Sequence, residues 1–255
     1  MTLTLATAHP IRVFVVDIDG CLAAIGHVDF DLPALDRIAA LNRASGDDPT
    51  VPTVSFVTGR PHGYIDAMTQ ALATRVAVSF ENGAGLATRH PYRAWLASGI
   101  EGALDHLHRL EALVNERPEM FLQPGKVASA SVFPIEATFD PGPLMADLRA
   151  IIDEHELDLV LDPSNECVNV LLPGVDKESG LSWLCEELGV APGEMAGIGD
   201  SAGDIGWLRR CGVSFAPGNA SAEVRDAVTH ALDDDDVAAT LTAYEALVRA
   251  NRALG

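Results

Sequence analysis

The sequence predicts an α/β protein built on a parallel sheet, with an α+β block inserted into it. Short apolar runs rich in β-branched residues and bounded by Gly, Pro or Asp indicate buried strands of a parallel sheet. They cover residues 11–16, 54–57, 76–80, 195–198 and 213–215. Segments with the apolar spacing of helices lie between these runs, as at residues 35–41 and 181–188. This alternation is typical of an open sheet covered by helices on both faces.

The alternation of strand and helix stops in the middle of the chain. A helical stretch, a strand-like run, a second helical stretch and a second strand-like run follow one another at residues 100–116, 127–133, 144–155 and 168–172. The insert begins after the turn Glu81-Asn82-Gly83-Ala84 and ends near Pro173-Gly174. We therefore predict an α+β domain at residues 86–172, inserted between two parts of the core at residues 1–85 and 173–255.

The composition restricts the classes of partner. The chain has 255 residues, with 37 Asp and Glu against 17 Lys and Arg, and a net charge of −20. Its field repels nucleic acids and anionic membrane surfaces, so neither is expected as a partner. A site for a phosphorylated small molecule would need positive charge from a metal ion, a lysine or backbone N–H groups. Lys126 and Lys177 are the only lysines.

The four cysteines are widely separated, without a Cys-x-x-Cys pair. This spacing disfavours a disulfide framework and a zinc site. The sequence shows neither an N-terminal signal pattern nor an apolar run long enough to span a membrane, so we expect a cytoplasmic protein. The sequence does not predict an oligomeric state.

The strongest local motif is the apolar run VFVVDIDGCL, which ends in Asp17 and Asp19. Ligands of open α/β sheets bind at the carboxyl ends of the strands, where both carboxylates would lie. One carboxylate can attack a substrate while the other transfers a proton, provided that a cation reduces their repulsion. The alternative is an Asp-Gly turn that only ends a strand.

A second buried run, SFVTGR, ends in Thr58, Gly59 and Arg60. A hydroxyl and free backbone N–H groups at a strand end suit a phosphate oxygen, and glycine permits close approach. An ordinary strand-to-helix turn, with Thr58 as the helix cap, is the alternative interpretation.

The run MAGIGDSAGD places Asp200 at a strand end and Asp204 one turn later. Mg²⁺ prefers oxygen ligands and is usually held by one or two carboxylates together with substrate and water. Asp200 fits a metal ligand, and Asp204 fits a residue that holds water beside the metal. The alternative for Asp204 is an acidic residue favoured by the dipole of a helix start.

Lys177 follows a strand-like run and opens a helix. Its ammonium group could neutralise a nucleophilic carboxylate and a transferring phosphoryl group. A solvated surface lysine is the alternative.

These four motifs, in this order, resemble those of the haloacid dehalogenase superfamily. DIDG, TGR, Lys177 and GDSAGD match its motifs one to four, and an insert that follows ENGA resembles the type IIB cap of the Cof-like, sugar-phosphatase branch. The stretches VSFAPGNASAEVRDAV and HALDDDDVAATL resemble later parts of that core. The resemblance implies a Rossmann-like core with a cap domain, and a Mg²⁺-dependent phosphatase that acts on a small phosphate monoester through an aspartyl-phosphate intermediate.

The resemblance also implies roles for individual residues. Asp17 would be the nucleophile and a metal ligand, and Asp19 the acid and base, with its backbone carbonyl on the metal. Asp200 and Asp204 would complete the metal site. The implied phosphate-binding residues are Thr58, Gly59, Arg60, Lys177 and Asn219.

Three positions depart from the family pattern: Cys21, Glu178 and Gly203. Gly203 removes a polar side chain near the expected metal. An Asp at position 19 favours phosphatases and phosphomutases over dehalogenases. A phosphomutase and a non-catalytic protein that keeps the fold are the remaining alternatives.

The cap would determine specificity. Lys126, Ser129, Ser131 and Glu166 are its polar candidates, although the sequence favours surface or strand positions for them.

Overall fold

The computed structural model describes residues 3–26, 29–135, 140–164 and 166–254. In chain order, its strands and α-helices are β1 (Val13–Val16), α1 (Leu32–Ala44), β2 (Thr53–Phe56), α2 (His62–Ala71), β3 (Val78–Phe80), β4 (Gly85–Arg89), β5 (Tyr92–Leu96), α3 (Glu101–Asn115), β6 (Met120–Leu122), β7 (Ala130–Pro134), α4 (Pro141–Glu154), β8 (Val160–Pro163), β9 (Val168–Leu171), α5 (Lys177–Leu188), β10 (Met195–Ile198), α6 (Ile205–Leu208), β11 (Val213–Ala216), α7 (Ala222–Ala227), β12 (His230–Ala231) and α8 (Asp236–Leu254).

A five-stranded parallel sheet forms the core, in the order β12-β11-β10-β1-β2. Its strands are short and fully apolar on both faces in β1 and β10. Such strands are expected where helices cover both sides of a parallel sheet. The predicted α/β fold with a parallel sheet is confirmed.

Side chains of β1 alternate between two packed layers, as the two-residue period of a strand requires. Phe14 and Val16 pack in one buried cluster with α1, α2 and α8, where Phe14 contacts the ring of Tyr244. Val13 and Val15 pack in another cluster with α5, α6 and α7. The carboxyl ends of β1 and β10 are thereby fixed between two helical layers.

The antiparallel sheet β3-β4-β5 adjoins the core. A bridge between Val57 and Ser79 connects it to the end of β2. Neither β4 nor β5 was predicted from the sequence: β5 is mostly exposed, and β4 has the sequence GLATR, which is not a continuous apolar run.

A four-stranded antiparallel sheet, in the order β6-β7-β9-β8, carries α3 and α4 and has its own buried cluster. Two helices and two strands of this unit were predicted from the sequence: α3, α4, β7 and β9. Strands β6 and β8 were not predicted, because they are short and partly exposed. The strand predicted at residues 127–133 begins only at Ala130, because the N–H groups of Val127 and Ala128 bind the Glu81 carboxylate instead.

The domain boundaries predicted at residues 85/86 and 172/173 stay predictions; residues 1–2, 27–28, 136–139, 165 and 255 lie outside the described part. Within that part, no helix has both the length and the apolar character that crossing a bilayer requires.

Candidate active site

Asp17 follows β1 directly and lies at the carboxyl edge of the sheet. Its N–H donates to the Ile198 carbonyl at the end of β10, at 3.1 Å. Its side chain is almost fully buried, and its Oδ1 accepts a hydrogen bond from the N–H of Ile18 at 2.7 Å. Gly20 allows the turn that follows, since it has a φ of +71° and a Cβ there would lie 2.3 Å from Oδ2 of Asp200.

Lys177 bridges two of the predicted carboxylates. Its Nζ donates to Oδ2 of Asp17 at 2.6 Å and to Oδ1 of Asp204 at 2.7 Å. The side chain of Asp176 caps α5 by accepting from the N–H of Ser179, which places Lys177 in the first turn. A cation is disfavoured at a helix N-terminus, so the two carboxylates must offset that cost.

Asp204 is fully buried, and both of its oxygens are occupied. Oδ2 accepts from the N–H of Asp200 and from the N–H and hydroxyl of Ser201, at 2.8–3.2 Å. Oδ1 accepts from Lys177 and, at 2.9 Å, from the indole N–H of Trp207. Asp204 is therefore built to hold Lys177 and the Asp200 loop in place.

The cluster has strong electrostatic coupling. Burial raises the pKa of Asp17 to about 7, although Lys177 opposes the shift, and burial together with Asp17 raises the pKa of Asp200 to about 8. Burial also acts on Asp204, but Lys177 and the hydrogen bonds from Lys177 and Trp207 hold its pKa below the usual value. The neighbouring carboxylates Asp17 and Asp204 outweigh the effect of burial on Lys177 and raise its pKa.

The same residues fit a divalent cation. Carboxylate oxygens of Asp17, Asp200 and Asp204 lie within 4.8 Å of one another. When ionised, these three carboxylates and the Lys177 ammonium leave two negative charges in a buried space, which a divalent cation would balance. Oxygen donors of this kind suit Mg²⁺. The carboxylate of Asp200 is the most available metal ligand, since it accepts none of the hydrogen bonds found in the described residues.

Asp19 stands apart from the buried cluster. Its side chain is 40% exposed and pairs with Arg60, whose Nε donates to Oδ2 at 2.7 Å. The Arg60 guanidinium also lies over the ring of Tyr64, 4.7 Å from its centre. Arg60 thus holds Asp19, and the predicted contact of Arg60 with phosphate stays a prediction.

Thr58 is fully buried, and its hydroxyl accepts from the N–H of Arg60 at 3.2 Å. Gly59 and Arg60, but not Thr58, line the cavity described below. Asn82 approaches the same loop: a Cβ on Gly59 would lie 3.1 Å from the Asn82 Oδ1. The Asn82 Nδ2 is buried and has no hydrogen-bond partner in the described part of the chain.

Asn82 is a site residue that the sequence analysis missed. It was included only as part of a turn, where a φ of 54° suits Asn. The available signal was the polar residue of an ENG turn that follows a buried strand. A buried amide donor without an acceptor, next to a glycine loop, is arranged to receive an anion.

Asn219 is engaged elsewhere in the turn region. Its Nδ2 donates to the Gly20 carbonyl at 3.0 Å, and its Oδ1 accepts from the N–H of Asp236 at 2.8 Å. Asn219 thus supports the loop after Asp19 although it also lines the cavity. Its predicted contact with phosphate stays a prediction.

A cavity of about 1390 Å³ lies between the carboxyl edge of the parallel sheet and the four-stranded sheet. Asp17, Asp200 and Lys177 line one end of it, while Lys126, Ser131, Asp162, Glu166 and Asn169 line it from the inserted segment. Ser129 points elsewhere and donates to the Glu81 carboxylate. The polar residues of the insert therefore face the site more often than the sequence indicated.

The three departures from the family pattern have distinct surroundings. Cys21 is buried, and its carbonyl accepts from the Thr240 hydroxyl at 2.6 Å. A Cβ on Gly203 would meet only the Ser201 hydroxyl, at 3.8 Å, so Gly203 leaves space in the cavity wall. Glu178 points away from Lys177 toward Arg210, at 3.7 Å.

Sequence comparison relates the chain to known hydrolases. A family model described as haloacid dehalogenase-like hydrolase matches residues 132–241. A phosphoglycolate phosphatase of Nitrosopumilus maritimus is 29% identical over 220 residues, which are 86% of this chain and 88% of that protein. A phosphoglycolate phosphatase of Methanococcoides burtonii is 24% identical over 223 residues, 86% of this chain and 89% of that protein.

Structural comparison agrees with the fold. A Thermoplasma acidophilum protein superposes with a TM-score of 0.74 at 18% identity, covering 94% of this chain and 99% of that one. The sucrose-phosphatase of Synechocystis sp. PCC6803, solved with sucrose and phosphate, gives a TM-score of 0.67 at 16% identity, covering 94% and 98% of the two chains.

Proposed function

We propose that this chain, which is similar to the haloacid dehalogenase-like hydrolases over residues 132–241, is a Mg²⁺-dependent phosphatase of a small phosphorylated metabolite. The observation that carries the proposal is the buried cluster in which Lys177 bridges Asp17 and Asp204 beside Asp200. This arrangement combines a nucleophile, a fixed positive charge and metal-ligand oxygens at one end of a large cavity.

Asp17 is the nucleophile of the proposed reaction. Its carboxylate attacks phosphorus in line with the leaving oxygen, the bond from phosphorus to that oxygen breaks, and an aspartyl phosphate forms. Lys177 stabilises the charge on the transferring group without moving, because Asp204 already holds its ammonium in place.

Asp19 transfers protons in both halves of the reaction. It protonates the leaving alkoxide, and then takes a proton from the water that attacks phosphorus in the aspartyl phosphate. That second step releases phosphate and restores the Asp17 carboxylate. The partial exposure of Asp19 at the cavity gives it access to both substrate and water, while Arg60 sets its orientation.

Asp17 and Asp200 would hold the metal ion. When bound, Mg²⁺ would act as a Lewis acid on phosphate oxygens and reduce the repulsion between the substrate and the carboxylates. The unpaired amide of Asn82 and the backbone of Gly59 would donate to the remaining phosphate oxygens. The names of the relatives, phosphoglycolate phosphatase and sucrose-phosphatase, support a small phosphate monoester as substrate.

The test is free phosphate release from a panel of small phosphate monoesters with and without Mg²⁺. We expect Mg²⁺-dependent release from at least one ester, and its loss by at least about 1,000-fold in Asp17→Asn, because the amide is not a nucleophile. Asp36→Asn is the matched control, since its side chain is 81% exposed and its one ion pair among the described residues is with Arg43, at 3.6 Å.

Three results would count against the proposal. If the Asp17→Asn variant were as active as the wild type, Asp17 would not be the nucleophile. Full activity in EDTA would show that the reaction needs no metal ion. Phosphoryl transfer that needs a bisphosphate activator and releases no phosphate would identify a phosphomutase.

A further inference from the structure

Lys126 is the cation of the inserted segment that lines the cavity. It is partly buried, and none of the ion pairs within the described ranges includes it, whereas Lys177 pairs with two carboxylates. We propose that Lys126 binds a carboxylate of the substrate, so that the substrate class is a small phosphorylated carboxylic acid. This inference rests on the proposed phosphatase function.

Two neighbours orient the Lys126 ammonium. Its Nζ donates to the Ser131 hydroxyl on β7, which donates in turn to Oδ1 of Asn169 on β9 at 2.6 Å. Both neighbours line the cavity. An ammonium group has three donors, so one is used to fix its position and two remain for a ligand.

The charges around Lys126 favour an added anion. Burial lowers the pKa of Lys126, and Arg60 adds to the shift, while Glu81 and Asp19 oppose it. The Glu81 carboxylate is already occupied by the N–H groups of Val127 and Ala128 and the hydroxyl of Ser129. A desolvated cation that lacks a paired charge gains stability when an anion binds.

The acidic residues of the insert do not supply the anion that would pair with Lys126. Burial raises the pKa of Asp162, while Lys177 and a hydrogen bond with the Asn169 side chain oppose the shift, and Asp162 makes no ion pair with Lys126 within the described residues. Glu166 is exposed at the cavity and makes no ion pair with Lys126. One ammonium balances one carboxylate, whereas a second phosphate dianion would bring an uncompensated charge into the cavity.

Lys126 lines the same cavity as Asp17, Asp19 and Arg60. A substrate with its phosphate on Asp17 and its carboxylate on Lys126 would therefore lie within this one cavity.

The test compares 2-phosphoglycolate with its amide, 2-phosphoglycolamide, which has the same shape and lacks the carboxylate charge. We expect the wild-type protein to prefer the acid, and Lys126→Gln to lower the ratio of the two kcat/KM values by about 10- to 100-fold, mainly through KM. Lys126→Arg should keep most of the preference. Arg109→Gln removes a positive charge from α3 outside the cavity and should leave the ratio unchanged.

A binding measurement separates this inference from the proposed reaction. The isostere 3-phosphonopropionate cannot be hydrolysed, and calorimetry should show that it binds the wild-type protein at least about 10-fold more tightly than Lys126→Gln. An unchanged kcat/KM ratio together with equal binding would overturn the role of Lys126. Absence of phosphate release from every ester, with tighter binding to the wild type, would overturn the reaction and leave the Lys126 site standing.

Discussion

At the scale of single residues, the site depends on which carboxylates are free and which are occupied. The sequence predicted Asp17, Asp200, Asp204 and Lys177 from their positions after strands and at a helix start, and the structure brings them together. It could not predict that Asp204 would be saturated by hydrogen bonds, because that depends on the rotamer of Trp207 three residues away.

The motif TGR also shows that a sequence pattern does not predict the contacts of its side chains. A strand end with a hydroxyl and glycine predicts a phosphate loop, but the pattern does not encode side-chain direction. Thr58 turns inward, and Arg60 turns to Asp19, 41 positions earlier in the chain. Within the described part of the chain, the buried side-chain amide without a hydrogen-bond partner belongs to Asn82, for which the sequence indicates only a turn.

We expect Asn82→Gly to lower kcat/KM for phosphate esters by about 10-fold or more, because it removes the buried amide that we propose as a donor to the phosphate. Glycine tolerates the φ of 54° at this position, so the melting temperature should change little. Steady-state kinetics and thermal unfolding measure the two effects. An unchanged kcat/KM would show that this amide does not contact substrate.

The raised pKa of Asp200 predicts a pH-dependent stability. In the metal-free protein its pKa is about 8, against 3.8 for an ordinary Asp, so the native state binds the extra proton between these values. Stability should therefore fall as the pH rises from about 4 to about 8. The Asp200→Asn variant cannot ionise at this position and therefore avoids this loss of stability. We expect it to raise the melting temperature of the metal-free protein at pH 8 by roughly 2–8 °C.

Mg²⁺ provides the complementary measurement. It should raise the melting temperature of the wild-type protein and have little effect on Asp200→Asn, because the variant lacks a ligand. Asp36→Asn should respond to pH and Mg²⁺ as the wild type does. A metal-free variant that melts below the wild type at pH 8 would contradict the assigned electrostatics.

At the scale of elements, the turn at residues 81–83 fixes the start of α5. Gly83 has a φ of +94°, and a Cβ there would lie 2.2 Å from the carbonyl oxygen of Asp176. The sequence identified the turn but not its contact with α5, because nearly 100 residues of insert separate them. The close approach sets the height at which Lys177 meets Asp17.

Gly83→Ala should destabilise the protein by about 2–4 kcal/mol and lower kcat, since both the φ and the contact with Asp176 are incompatible with a side chain. Gly174→Ala is the matched control, because Gly174 has a φ of +75° but nothing within 4 Å of a Cβ. Denaturant unfolding and phosphate release measure both variants. Equal effects would show that backbone strain, not the contact with α5, is responsible.

At the scale of the whole molecule, the sequence predicted the fold class, which the structural comparison confirms. The match of a haloacid dehalogenase-like hydrolase model to residues 132–241 agrees with the resemblance to that superfamily. Its parallel sheet was predictable because buried strands need continuous apolar runs. The exposed strand β5 and the short strands of the insert carry no such signal. The cytoplasmic location and the domain boundaries stay predictions.

Glu81 connects the two sides of the cavity. It lies in the turn beside the parallel sheet, and its carboxylate holds the segment next to Lys126. Glu81→Gln replaces one acceptor oxygen by a donor that faces backbone N–H groups, so we expect a loss of about 1–3 kcal/mol and a higher KM. Glu119→Gln, at an exposed pair 3.9 Å from Arg117, is the control.

Hydrogen exchange reports this link directly. The amides of Val127 and Ala128 should exchange faster in Glu81→Gln than in the wild type, while those of β10 should not change. Unaltered exchange at both amides would show that Glu81 does not hold the segment.

The bond between Lys177 and Asp17 joins positions 160 residues apart, with a consequence for biosynthesis. Asp17 leaves the ribosome early, but its counter-ion and the loop of Asp200 emerge only after the entire insert, roughly 10–40 seconds later at ordinary translation rates. Until then, the nascent chain carries the proposed nucleophile without the ammonium group that pairs with it. We therefore expect fragments that end before Asp204 to be unable to hydrolyse phosphate esters.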